Sequence, residues 1–237
     1  MQQKLGKMQI AGFEKLTLLD YPGKVACTVF TPGCNYRCPF CHNAGLVLPQ
    51  RERQVISENE VLGYLGKRAG LLEGVCLTGG EPLLQKDLSR FIRKIKALGY
   101  SVKLDTNGSD PDQLGWLMDE NLPDYIAMDI KNSLARYRET TGVPTVDLNA
   151  VIQSAVLLMQ GRIPFEFRTT VVKEFHTTED IEAIGKWLQG APKYYLQSFI
   201  DSGDLIRGGL HPVDEDILRK MADILKPYIK EAALRGI

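Results

Sequence analysis

Short apolar, β-branched runs alternate along this chain with stretches whose apolar residues recur every three or four positions. The β-like runs fall at 24–30, 74–77, 102–104, 125–129, 165–172 and 193–197. Between them the period changes to that of a helix. Ser57 with Glu60 three residues on forms a capping box ahead of Val61, Leu62, Leu65 and Ala69. Leu88, Phe91, Ile92, Ile95 and Leu98 make a second helical stripe, and Pro111 suits the first turn of a short third helix. Leu148, Val151, Ile152, Ala155 and Met159 mark a fourth helix, and 178–188 a fifth. A last helix is predicted from Asp214, with Ile217, Met221, Ile224, Leu225 and Tyr228 facing inward. Strands that alternate with helices predict βαβ units and a parallel sheet. Six such units fall short of the eight of a closed barrel. The expected fold class is therefore α/β, an open partial (β/α)6 barrel with parallel strands, and residues 1–237 are expected to form a single domain.

Composition narrows the function without naming it. The 237 residues are 44% hydrophobic and 24% charged, with 29 basic and 29 acidic side chains. No excess of positive charge suggests a grip on nucleic-acid phosphates, and no basic run suggests an anionic membrane surface. Met1 to Ile10 alternates polar and apolar residues, unlike a signal peptide, and no stretch approaches the roughly 20 apolar residues of a bilayer span. Five cysteines, three of them clustered, do not make a disulfide framework. The expected setting is the reducing cytoplasm, with neither nucleic acid nor membrane as partner.

Sites in parallel α/β folds form at the carboxyl ends of strands. Polar residues gather there in every unit. Thr78-Gly79-Gly80-Glu81-Pro82 follows the second strand, Asp105-Thr106-Asn107-Gly108 ends the third, and Asp129 and Lys131 end the fourth. Arg168 and Thr170 lie on the fifth, and Gln197 and Ser198 end the sixth. Residues two apart on a strand share a face. Glu166, Arg168 and Thr170 therefore point one way, and apolar Phe165, Phe167 and Val171 point the other, toward covering helices. Inward charges need partners. A zwitterionic ligand would supply them. So would a salt-bridge network among Asp105, Asp129, Lys131 and Arg168 that merely closes the barrel. Gly-Gly-Glu-Pro could likewise be a tight turn with an exposed Glu81.

The loop after the first strand carries Cys34-Asn35-Tyr36-Arg37-Cys38-Pro39-Phe40-Cys41. A structural zinc site takes four protein ligands, and His42 stands too close to Cys41 to act as an independent fourth. Three thiolates on a four-iron cluster would leave one iron open for chemistry. Cys27 and Cys76 fall inside strands, where thiols are commonly buried as small hydrophobes. His42, His176 and His211 read as local hydrogen-bonding residues, His42 beside the cysteines.

The C-x-x-x-C-x-x-C run, with an aromatic residue before its last cysteine, resembles the signature of the radical S-adenosylmethionine (radical SAM) superfamily. Gly79-Gly80-Glu81-Pro82 resembles that superfamily's GGEP motif. The resemblance implies a 4Fe–4S cluster on Cys34, Cys38 and Cys41, whose open iron is chelated by S-adenosylmethionine, and a 5′-deoxyadenosyl radical that abstracts hydrogen. It places Phe40 near the adenine and Gly79, Gly80 and Glu81 near the methionine amino group. Asp105, Thr106, Asp129, Lys131, Arg168, Thr170 and Gln197 are expected around the same cofactor. Segments 16–24 and 41–43 resemble glycyl-radical-enzyme activating enzymes, which implies that Asp20 lies near a target glycine and that Asp105, Thr106 and Asp129 hold a monovalent cation. The partner implied first is an anaerobic ribonucleotide reductase, with flavodoxin or ferredoxin as electron donor. Gln197-Ser198-Phe199 departs from the pattern of pyruvate formate-lyase activases. The alternatives are such an activase, a small-molecule radical SAM enzyme such as a deazapurine synthase, and a non-catalytic zinc-binding module.

Overall fold

The computed structural model describes residues 7–48 and 55–236. Most of the alternation read over Met1 to Ile10 lies outside them. The described residues cluster into two compact units, each assembled from three stretches of chain. The first gathers those within 1–34, 45–106 and 112–126, the second those within 35–44, 107–111 and 127–237.

In the first unit, β1 (Gly12–Thr17) runs antiparallel to β2 (Ala26–Thr31), with Phe13 opposite Val29. Helices α1 (Ala44–Val47) and α2 (Glu58–Gly66) precede β3 (Gly74–Gly79), which pairs in parallel with β2. Helix α3 (Leu88–Ala97) leads to β4 (Ser101–Thr106), parallel to β3. Strand order here follows the chain, β1-β2-β3-β4. Helix α4 (Pro111–Asp119) begins at the expected proline, and β5 (Tyr125–Asp129) is divided by the unit boundary after Ile126.

The local chemistry explains these elements. Ser57 caps α2 by accepting the Glu60 N–H at 3.1 Å, which satisfies one of the donors a helix start leaves unpaired. Leu88, Phe91, Ile92 and Ile95 of α3 all show no solvent exposure. Their i, i+3, i+4, i+7 spacing makes one apolar face, and each buried side chain contributes about 1.5–3 kcal/mol. Helix α2 is shorter than the sequence suggests: it ends at Gly66, so Ala69 lies beyond it and is exposed.

The second unit contains α5 (Tyr137–Thr141), α6 (Leu148–Met159), β6 (Phe165–Val171), α7 (Thr178–Trp187), β7 (Lys193–Ser198), α8 (Glu215–Leu225) and β8 (Glu231–Arg235). The order β6-β7-β8 is parallel throughout, with Thr170 beside Gln197 and Gln197 beside Arg235. Thr177 and Asp180 form a reciprocal capping box at the start of α7. Helix α8 is rotated from its expected orientation. Leu218, Met221, Ala222 and Leu225 are its buried residues, and Ile217 is 40% exposed.

All six expected strands are present, and β1 and β8 are two more that the sequence does not announce. β1 has no fully buried position, carries the charged Glu14 and Lys15, and pairs along only one side within its unit's strand order. β8 is Glu-Ala-Ala-Leu-Arg, a sequence of good helix formers held extended by parallel pairing to β7. No helix among the described residues is long and apolar enough to cross a membrane.

Candidate functional site

The first unit sets three of the expected site residues, Gly79, Gly80 and Glu81, directly against the beginning of the cysteine loop. The Gly80 N–H donates to Thr31 O and the Glu81 N–H to Gly33 O, both at 2.8 Å. A Cβ on Gly79 would stand 2.4 Å from Thr31 N, and one on Gly80 only 1.8 Å from Gly33 O. Gly79 also has φ +110°, a conformation that L side chains avoid. The two glycines therefore exist to let this turn lie against the backbone that leads into Cys34.

Glu81 is not the exposed turn residue that a bare Gly-Gly-Glu-Pro would suggest, since only 1% of it reaches solvent. Its carboxylate accepts the Thr106 hydroxyl at 2.7 Å and the Leu83 N–H at 3.1 Å. Asp105 pairs with the ammonium of Lys103, and Lys103 is wholly buried with its Nζ 3.9 Å from Cys76 Sγ. Sequence reading missed Lys103, although Lys103 and Asp105 share the parity used for Asp129 and Lys131. Asp20 accepts the Thr28 hydroxyl at 2.5 Å and is half-buried.

In the second unit, the Asp129 carboxylate sits between two cations. Lys131 Nζ lies 3.1 Å from Oδ2, and Arg168 reaches Oδ1 through Nε at 2.9 Å and a terminal nitrogen at 2.8 Å. Burial alone would raise the Asp129 carboxyl, but Arg168 and Lys131 outweigh it and hold it well below the usual carboxylate range. Asp129, Lys131 and Arg168, three of the four charged residues expected to pair, thus meet within this unit. Glu166, on the same face of β6 as Arg168, is fully buried and takes two hydrogen bonds from Arg235, whose guanidinium stacks 3.9 Å over Tyr195. Thr170 and Gln197 are neighbours across β6 and β7 and are half-buried.

The rest of the cysteine loop belongs to this unit. The Cys41 N–H donates to Cys38 O at 3.0 Å, and the Asn107 amide donates to Asn35 Oδ1 at 2.9 Å. Phe40 packs on Phe175 and edge-on to His176, with ring centres 5.8 and 6.2 Å apart. His176 is buried and bonds to the Lys131 and Val172 carbonyl oxygens, and His211 bonds to Glu174. His42 lies against Phe199, and burial lowers its affinity for a proton. Burial likewise raises the Cys41 thiol and pushes Cys27 up to about 12. Cys27 and Cys76 are buried in their strands, as expected, and none of the five cysteines is in a disulfide.

Among the described residues no three His, Cys, Asp or Glu side chains converge as a preformed metal site. The donor chemistry nevertheless suits an iron–sulfur cluster: three unbridged thiols on one loop, with soft sulfur ligands of the kind such clusters take.

Comparison with known proteins agrees with this chemistry. The Radical SAM superfamily profile matches residues 28–188. An inferred glycyl-radical enzyme activating enzyme of Methanocaldococcus jannaschii is 31% identical over 239 residues, covering 98% of this chain and 97% of the relative. The pyruvate formate-lyase-activating enzyme of Staphylococcus epidermidis is 31% identical, over 77% of this chain and 76% of its own. The crystal structure of Streptococcus suis SuiB bound to S-adenosylmethionine shares the fold, with a TM-score of 0.67 at 15% identity over 86% of this chain and 48% of SuiB. The chain belongs to the radical SAM superfamily, in its family of glycyl-radical enzyme activating enzymes, and a 4Fe–4S cluster and S-adenosylmethionine come with that membership.

Proposed function

We propose that this enzyme activates an anaerobic ribonucleotide reductase by removing a hydrogen atom from the α-carbon of one of its glycines. The observation that carries this reading is the full-length likeness to an activating enzyme, joined to a cysteine inventory of three loop thiols and two buried strand thiols. That inventory supports one cluster and offers no cysteine set for another. When bound, the cluster and S-adenosylmethionine supply a one-electron reductive cleavage that ends in hydrogen abstraction.

The chain's own residues bind, orient and exclude water. Cys34, Cys38 and Cys41 hold the cluster. Gly79 and Gly80 bring backbone close to the loop that carries it. Lys131 and Arg168 outnumber Asp129 within their trio, so they present net positive charge to a ligand carboxylate. Asp129 fixes both cations in place. Phe40, Thr170 and Gln197 line the remainder of the cofactor site, and Asp20 stands near the incoming glycine. Glycine suits the reaction because no side chain blocks its α-hydrogen, and the resulting radical is delocalised between amide nitrogen and carbonyl. The partner must release a loop to present it, which lowers the net affinity of the two proteins. Reduced flavodoxin or ferredoxin is the proposed electron donor, and the cytoplasm the proposed location.

The test is anaerobic incubation with reductase whose glycines carry deuterium on the α-carbon. Deuterium in 5′-deoxyadenosine, with a glycyl doublet in the electron paramagnetic resonance spectrum, is the expected result. Label transfer from pyruvate formate-lyase alone would favour the second reading, which the Staphylococcus epidermidis relative motivates. Rapid turnover of a purine precursor without label transfer from either protein would move the enzyme to small-molecule chemistry.

A further inference from the structure

The middle of the cysteine loop rests on a helix end far along the chain. The Arg37 N–H donates to Thr141 O at 2.9 Å. Thr141 is the last residue of α5, and Gly142 caps that helix in the left-handed conformation with φ 65°. A Cβ on Gly142 would stand 2.4 Å from Arg37 O and 3.0 Å from its carbonyl carbon. Residue 37 is thus held on both sides, its N–H by Thr141 and its carbonyl by contact with the bare Cα of Gly142. That carbonyl belongs to the peptide bond that carries Cys38, a residue with 7% exposure.

Helix α5 is itself fixed. Tyr137 is fully buried, and the Asn132 amide donates to Thr140 Oγ1 and to Phe175 O, each at 2.8 Å. Asn132 directly follows Lys131, the partner of Asp129. A continuous run of contacts therefore leads from the charged trio through Asn132, Thr140 and Gly142 to Cys38.

The geometry points to Gly142 as a positioning residue for Cys38. Its missing side chain lets the Arg37 peptide seat against α5, and this seat sets where the Cys38 thiol stands relative to the strand end bearing Asp129 and Lys131. An ordinary helix-ending glycine would serve only the backbone conformation. The two roles separate because asparagine tolerates the left-handed region. Gly142→Asn keeps the cap and adds the obstructing Cβ. Gly161 is the matched control: it has φ +72°, it follows the end of α6 in the same unit, and a Cβ there would meet nothing within 4 Å.

The inference rests on Cys38 being a cluster ligand, so the experiment separates the two. Iron-free protein is treated anaerobically with iodoacetamide, and Cys38 alkylation is followed by peptide mass spectrometry. Reconstituted protein is then challenged with an iron chelator. Gly142→Asn is expected to speed both Cys38 alkylation and cluster loss about tenfold, whereas Gly161→Asn stays within about twofold of wild type. Equal rates in the two variants would overturn the positioning role. If Gly142→Asn does not fold, Thr140→Val carries the test, because it unties α5 from Asn132 and places nothing against Arg37. Faster Cys38 alkylation in that variant supports the inference, and an unchanged rate overturns it. Failure of the wild type to take up iron would sink the cluster assignment instead, while the alkylation rates would still report how Cys38 is seated.

Discussion

Lys103, itself entirely out of solvent, places its ammonium on the largely buried carboxylate of Asp105, two residues further along β4. A buried charge needs a partner, and here the chain supplies the cation itself. Asp105 was expected to help hold a monovalent cation, so the consequence can be measured. The wild type should cleave S-adenosylmethionine equally well in potassium, sodium or choline salts. Lys103→Met should cost about 3–5 kcal/mol of stability by breaking this buried ion pair, and should make the residual activity respond to potassium or sodium. A wild type that fails in choline would show that Asp105 takes a metal ion despite its lysine.

Cys34→Ala, Cys38→Ala and Cys41→Ala should each abolish stable cluster binding, whereas Cys27→Ala and Cys76→Ala should keep full iron content. The buried pair should cost stability instead. Each loses a thiol packed in a strand without exposure, and Cys76→Ala also removes the sulfur beside Lys103. Iron analysis and thermal unfolding after anaerobic reconstitution separate the two classes. Full zinc occupancy with no iron uptake would revive the structural-metal alternative.

Arg168→Ala should weaken S-adenosylmethionine binding about tenfold or more while leaving iron unchanged, because a hydrogen bond to a charged group contributes about 1.5–3 kcal/mol. Equilibrium dialysis on cluster-loaded protein reads this directly. Unchanged affinity would mean that Arg168 serves only to hold Asp129.

Acid should release the N-terminal segment of the first unit. Burial raises the Glu58 carboxyl, but hydrogen bonds from Arg90, Lys94 and the Met8 N–H outweigh it and bring its pKa down from 4.5 to about 2. A depressed folded-state value stabilises the protein above the unfolded-state value, and this stability is lost as pH falls through the folded one. Denaturant unfolding should therefore show a decline between pH 4.5 and pH 2. Glu58→Gln should lack this part of the decline and be less stable at pH 7. Parallel pH profiles for the two proteins would contradict the assignment.

Much of this molecule could be read from its residues, and the failures share a cause. The apolar runs at Val29, Leu77, Leu104 and Phe167 became strands because their side chains had a core to enter. The cysteine spacing and the Gly79-Gly80 turn depend on a few adjacent residues, so they too were legible. β8 was not, because Ala232 and Ala233 favour a helix in isolation and pairing with β7 decides otherwise. Ile217 was misplaced for a related reason: either face of α8 offers apolar residues, and packing chose Leu218. The Arg235–Glu166 pair joins residues distant in sequence, and no local pattern announces it. The identity of the partner protein stayed out of reach because it depends on surface complementarity to another chain.

The seat of Arg37 on Thr141 also dictates an order of events during translation. The cysteines leave the ribosome well before α5 has been synthesised, and until then the Arg37 peptide ahead of Cys38 lacks its seat on Thr141. Bringing such distant residues together carries a loop-closure cost that the later packing must first repay. Iron delivered to the nascent chain would meet thiols with no fixed arrangement. Stable cluster assembly is therefore expected only after α5 has emerged and packed against the loop.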